Sequence, residues 1–258
     1  MNFKEFSNSI ETGREAGHHV FVQCLPKMGS TALSRSLPQA LHEFEMETAP
    51  SLMNQRKEAE FDQQRRQWLH QRKQQLGHTV DVCTSLFLLT AELEDQGLRS
   101  HGHQRLVLNR SLRPWLRSIS NWSFQHASHP MRQTWANSYR QFVAVADQEL
   151  FSVMPKTLTD LSSAVRFWIP VWLVYQSYLE TNVGEESLPP MICDDNRLIP
   201  INANSSHFSK AFLQHFEKLI PAMPDLTISP DLHKNFRDVL RNKLLANPAS
   251  RARNCHLL

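Results

Sequence analysis

The amino-acid sequence predicts an α/β fold, a small central parallel β-sheet flanked by helices. Three observations predict it. Short β-branched and apolar runs at residues 19–24 (HVFVQC), 79–84 (TVDVCT), 105–109 (RLVLN) and 190–193 (PMIC) read as strands covered on both faces. Segments with helical spacing of apolar residues alternate with them. Strand, tight loop and helix, in that order, open the series and make the first half of a βαβ unit.

Taken in order, the first strand stops at Leu25-Pro26, and helical spacing then runs from Thr31 to Phe44, with Pro38 kinking it or ending its first part. Residues 51–76 are rich in Gln, Arg and Lys, with Leu52, Phe61, Trp68, Leu69 and Leu76 near one side. That pattern predicts one long amphipathic helix, an arm or lid with a solvated charged face. Residues 87–96 form a helix between the second and third strands. Residues 131–151 and 158–180 then read as helices whose aromatic residues pack the core, and the region 131–180 is the expected substrate-binding part. The last strand precedes Asp194-Asp195, and residues 206–219 and 231–245 read as amphipathic helices with Ser or Asp near their starts. No repeat or low-complexity tract divides residues 1–258, which read as one domain.

Composition narrows the function. With 258 residues, 41% of them hydrophobic, the chain has enough apolar mass for one sizeable core. The net charge of +3 and the pI near 8.7 come from Lys and Arg spread along the chain, without the dense basic block of a duplex-binding face. A small anionic ligand suits this balance better than a nucleic acid. Four cysteines, Cys24, Cys83, Cys193 and Cys255, lie far apart, which points to a reducing, cytoplasmic setting. The N-terminal residues mix acids and bases and lack a signal-peptide core. The most apolar stretch, 165–179, is interrupted by Arg166 and Pro170 and falls short of the roughly 18 residues a membrane span needs. His18-His19, His101-x-His103 and His126-x-x-His129 lack carboxylate or thiolate partners, so they read as surface histidines, and no metal is expected.

The chemistry begins in the loop Pro26-Lys27-Met28-Gly29-Ser30-Thr31. Gly29 lets the backbone approach an anion, the following helix offers N–H groups without intrahelical partners, and Lys27, Ser30 and Thr31 add charge and donors. That is a phosphate cradle. It is not a Walker A loop, because Ser30 rather than Lys follows the glycine and Cys24 stands where an earlier glycine is needed.

The loop resembles the 5′-phosphosulfate loop of sulfotransferases that use 3′-phosphoadenosine 5′-phosphosulfate (PAPS). A second segment strengthens the resemblance: Arg110 follows the strand RLVLN and Ser118 comes eight residues later, similar to the family's 3′-phosphate clamp. The strand PMIC with its acidic turn, and FSKAFLQHF after it, look like the elements that close the family's sheet. The resemblance implies a nucleotide-binding architecture of the P-loop kind and in-line transfer of a sulfuryl group from PAPS, leaving PAP, to a hydroxyl or amine without a metal. The implied acceptor is a small molecule or carbohydrate, or a protein side chain.

Departures argue against the family's cytosolic phenol and steroid branch. Met28 replaces a small residue, Ala32 an adenine-stacking aromatic, and Ser85 follows Thr84 where that branch has its catalytic His. Branches resembling the chain more, among them tyrosylprotein sulfotransferases, place a Glu base shortly after the first helix. By distance from the loop Glu47 matches best and Glu45 second, with Lys27 as the group that stabilises the leaving phosphate oxygen. Trp115, Trp122, Phe124 and Trp135 offer rings for an acceptor or for the core. The competing readings are a nucleotide kinase with a degenerate loop and a sulfotransferase-like protein that binds PAP without turnover.

Overall fold

The structure is a computed structural model that describes residues 3–37, 39–77, 79–110, 112–125, 132–182, 191–194 and 197–200. Its strands are β1 (His19–Gln23), β2 (Ala40–His42), β3 (Val80–Val82), β4 (His103–Asn109), β5 (Met191–Asp194) and β6 (Arg197–Pro200). The helices are α1 (Phe3–Glu15), α2 (Ser30–Ser36), α3 (Thr48–Asn54), α4 (Phe61–Leu76), α5 (Phe87–Thr90), α6 (Asp95–Ser100), α7 (Leu112–Gln125), α8 (Arg132–Ala146), α9 (Gln148–Ser152) and α10 (Leu161–Asn182). The predicted helices at 206–219 and 231–245 lie outside the described residues.

The sheet order is β2-β3-β1-β4-β5-β6, and the neighbouring strands from β2 to β5 pair in parallel. Among the described residues only the β5·β6 pair is antiparallel. The α/β class and the small parallel sheet flanked by helices therefore hold. All five residues of β1 are buried, as a central strand covered on both faces requires. A buried hydroxyl ties the sheet to α10: Tyr175 shares its O–H between the carbonyls of Gln23 and Leu108, each 3.1 Å away, at the carboxyl ends of β1 and β4. The start of α10 is fixed by a reciprocal cap, in which Ser163 N–H donates to Asp160 Oδ1 (2.6 Å) and Asp160 N–H to Ser163 Oγ (3.0 Å). Such a cap contributes about 1 kcal/mol and sets the register of the aromatic face.

Several predicted helices divide. Residues 51–76 form α3 and α4 rather than one helix, because the intervening QRKEAE carries no apolar residue larger than Ala and is held by tertiary contacts. There Arg56 pairs with Glu92 at 2.6 Å and lies over the Phe61 ring. The helix expected to continue to Phe44 ends at Ser36, and residues 40–42 instead add the edge strand β2. Residues 87–96 and 131–151 likewise each contain a helix break. α10, by contrast, runs through Pro170. α1 and β6 lie outside the predicted elements.

His19 and His103 are not surface residues but are 0% and 4% exposed. Their Nδ1 atoms are 3.0 Å apart, and His19 Nε2 lies 3.2 Å from Asp81 Oδ2. Asp81 accepts in turn from Arg72 of α4 through Nε and Nη2, and the second Nη2 contact reaches Phe44 O at 2.7 Å. Strand pairing brings β1, β3 and β4 side by side, so residues far apart in sequence become buried partners. No helix among the described residues is long and apolar enough to cross a membrane.

Candidate functional site

A cavity of about 510 Å³ opens at the carboxyl ends of the parallel strands. Segments following β1, β2, β3 and β4 all reach it. This is where open α/β sheets present ligand sites, since the loops diverge there.

The loop after β1 forms its floor. Gly29 has φ 103°, a left-handed conformation that a side chain would strain, and Lys27 adopts φ 65° two residues earlier. The Lys27 carbonyl accepts from Arg110 Nη1 (3.0 Å), and the Pro26 carbonyl accepts from Trp115 Nε1 (2.8 Å). Both carbonyls are thus engaged by the β4–α7 segment. The first helical bond of α2 runs from Leu33 N–H to Gly29 O, which leaves the amides of Ser30, Thr31 and Ala32 outside the helical ladder. All three residues line the cavity. α2 has only seven residues, so the local N–H groups, the hydroxyls and Lys27 count for more than its dipole.

Arg110 and Ser118 line the same cavity as Pro26, Lys27, Gly29, Ser30 and Thr31. The two sequence segments therefore converge in space. Met28 does not join them: it is fully buried in the hydrophobic core beneath the loop. Trp115 is also fully buried, and its role is to hold the loop through Pro26. Trp122 and Trp135 do line the cavity, with ring centroids 5.5 Å apart and planes 31° from parallel.

The carboxylates sort differently from the sequence expectation. Glu45 and Glu47 are exposed and are not among the cavity-lining residues. Glu43 is. It sits immediately after β2 at φ 57°, and its N–H donates to Val82 O at 2.9 Å, extending the pairing with β3. The side chain is half-buried against Thr84, accepting from Thr84 Oγ1 (3.2 Å) and lying 3.4 Å from Thr84 N. Cys83 Sγ is 3.7 Å from the same carboxylate. Burial pushes the Glu43 carboxyl above its ordinary range, and the Thr84, His42 and Cys83 contacts offset only part of that. Sequence spacing missed Glu43 because β2 was read as helix. An acidic residue directly after a short apolar run, ALH, is the signal that could have found it.

His42, the last residue of β2, completes this wall. Its Nε2 lies 3.3 Å from Ser30 Oγ, 3.4 Å from Thr31 Oγ1 and 3.6 Å from Glu43 Oε1. The basic residues Lys27, Arg35, Arg110 and Arg132 line the cavity with one carboxylate, Glu43. Among the described residues the site is thus suited to a polyanion beside a single carboxylate and an imidazole. No family model, no curated protein and no solved structure matches the chain. The fold and site define an α/β protein with a cavity lined by basic side chains at the carboxyl edge of its sheet.

Proposed function

We propose that the protein is a sulfotransferase that uses PAPS, with Glu43 rather than Glu47 or Glu45 as the general base. The observation that carries this reading is the convergence of Lys27, Ser30, Thr31, Arg110, Ser118 and Glu43 on one cavity. The central position of β1, with the loop at its carboxyl end, supports a sheet of the P-loop kind.

The donor set fits the nucleotide's two anionic ends. Ser30, Thr31 and the amides beside them would hold the 5′-phosphosulfate, while the planar Arg110 guanidinium and the Ser118 hydroxyl would hold the 3′-phosphate. PAPS supplies an activated sulfuryl group, and its sulfur–oxygen bond to the 5′-phosphate breaks as the acceptor oxygen bonds to sulfur. Glu43 takes the acceptor's proton. Lys27 neutralises the electron pair left on the phosphate oxygen. An elevated carboxyl pKa suits Glu43 to this work, because a base is most effective when its pKa approaches the working pH. The acceptor is a hydroxyl or amine on a small molecule, a carbohydrate or a protein side chain.

Calorimetric titration with PAP tests the reading without an acceptor, and ATP serves as the comparison ligand. Saturable PAP binding, tighter than ATP binding, is expected. Preference for ATP would move the protein to the nucleotide kinases, and PAP binding with no transfer to any acceptor would leave a binding protein.

A further inference from the structure

We propose that His42 is a ligand of the transferred sulfuryl group and takes up a proton when PAPS binds. The inference rests on the proposed function and adds a residue to it. In an in-line displacement the sulfur lies between the base and the leaving oxygen. Glu43 marks the first of these positions and the Ser30–Thr31 hydroxyls mark the second. His42 Nε2 spans them, 3.6 Å from Glu43 Oε1 and 3.3–3.4 Å from the two hydroxyls. Whatever occupies the space between base and leaving group must therefore pass beside this imidazole.

The side chain is 32% exposed and lines the cavity, so a ligand can reach it. Histidine changes charge near neutrality, and an arriving anion favours its protonated form. The charged groups lining the cavity oppose one another. Lys27, Arg35, Arg110 and Arg132 disfavour a further positive charge, whereas Glu43 favours it. The ligand's negative charge shifts that balance toward the imidazolium. Its N–H then holds a non-bridging sulfuryl oxygen while the acceptor attacks, without receiving the acceptor's proton, which goes to Glu43.

Calorimetry with PAPS in buffers of different ionisation enthalpy reads the protons bound. The expected result is net uptake near pH 7 that is lost in His42→Asn and retained in Glu43→Gln. PAPS affinity of His42→Asn should fall roughly tenfold at pH 6.5, the scale of one charge-assisted hydrogen bond, and little at pH 9. PAP, which lacks the sulfuryl group, should lose less than about twofold. His42→Gln should recover part of the affinity through a neutral N–H but none of the proton uptake. Unchanged uptake in His42→Asn, or uptake lost only in Glu43→Gln, overturns the inference. Equal losses for PAP and PAPS overturn it too, since His42 would then hold a nucleotide phosphate. Failure of the unmodified protein to bind either nucleotide overturns the proposed function with it.

Discussion

Glu43 faces Thr84 across the β2·β3 pairing, its carboxylate 3.2 Å from the Thr84 hydroxyl and 3.4 Å from the Thr84 amide nitrogen. The pair holds a strained, half-buried acid at the cavity wall in one orientation. Burial favours its neutral form, so ionisation costs folding free energy. The sign is definite. With a native pKa above 4.5, the native state binds more protons than the unfolded chain in the window just above that value, and stability falls as pH rises through it.

Glu43→Gln should consequently raise Tm at pH 7 while cutting transfer about 10²–10⁴-fold and leaving PAPS affinity nearly intact. The acid limb of kcat/KM should lie above the ordinary Glu value of 4.5 and disappear in the variant. Full activity in Glu43→Gln would remove it as the base. Glu45→Gln and Glu47→Gln, both exposed and away from the cavity, should change neither constant.

Lys27 presents a conformational and an electrostatic test in one residue. At φ 65° its backbone is strained for any residue with a β-carbon, so Lys27→Gly relieves strain where Lys27→Ala does not. Both should weaken PAPS binding and slow transfer by about 10²–10³-fold, the loss of one stabiliser of developing charge. Thermal melts should rank Lys27→Gly at or above Lys27→Ala. The reverse order would mean that the extra conformational entropy glycine gives the unfolded chain outweighs the strain relieved at this position.

Strand existence was legible where apolar runs were continuous, as in HVFVQC and RLVLN, because burial on both faces leaves no alternation to misread. The three-residue β2 was not. ALH is too short for a period, and its partner β3 lies some 40 residues away, so only tertiary pairing defines it. The loop 26–31 and Arg110 were readable as candidate site residues because their residue types suit an anion whatever the fold, and both line the cavity. Glu43 was not, since its position depends on where β2 ends. His19 and His103 show the same limit: 84 positions separate them, and adjacent strands join them.

Arg110 carries a prediction about two bonds. Its Nη1 donates to Lys27 O at 3.0 Å, so the side chain braces the loop as well as facing the cavity. Arg110→Ala should cost roughly 1.5–3 kcal/mol of PAP binding. Adenosine 5′-phosphosulfate, without the 3′-phosphate, should bind the unmodified protein much more weakly than PAPS does. In Arg110→Ala the two should bind about equally. Arg110→Lys should rescue little, because an ammonium cannot reproduce the planar fork that serves both the carbonyl and a phosphate. PAP affinity unchanged in a folded Arg110→Ala protein would remove it from the clamp.

The buried His19–His103–Asp81–Arg72 network predicts how the protein fails in acid. At 3.0 Å one Nδ1 of the histidine pair must carry the proton that the other accepts, so the contact is lost when both rings become fully protonated. Burial, reinforced by repulsion from His19, Lys73, His101 and His70, holds His103 down to about 3 from an ordinary 6.5. Burial alone would raise the Asp81 carboxyl, but the Arg72 and His19 contacts outweigh it and keep that group below its usual 3.8. For His103 the unfolded chain binds the extra proton, so stability is complete above about pH 6.5 and falls between there and about 3. Asp81 adds its own loss below 3.8. Tm measured from pH 8 to 4 in a Glu43→Gln background, which removes the opposing Glu43 contribution, should therefore decline below 6.5, and the decline should be shallower when His103→Gln is added, a residue with a similar polar reach and no charge to gain. The slope, not the absolute Tm, is the test, because any substitution at a 4% exposed position lowers the whole curve. A His103→Gln protein with the same slope as its parent would show that the acid sensitivity arises elsewhere.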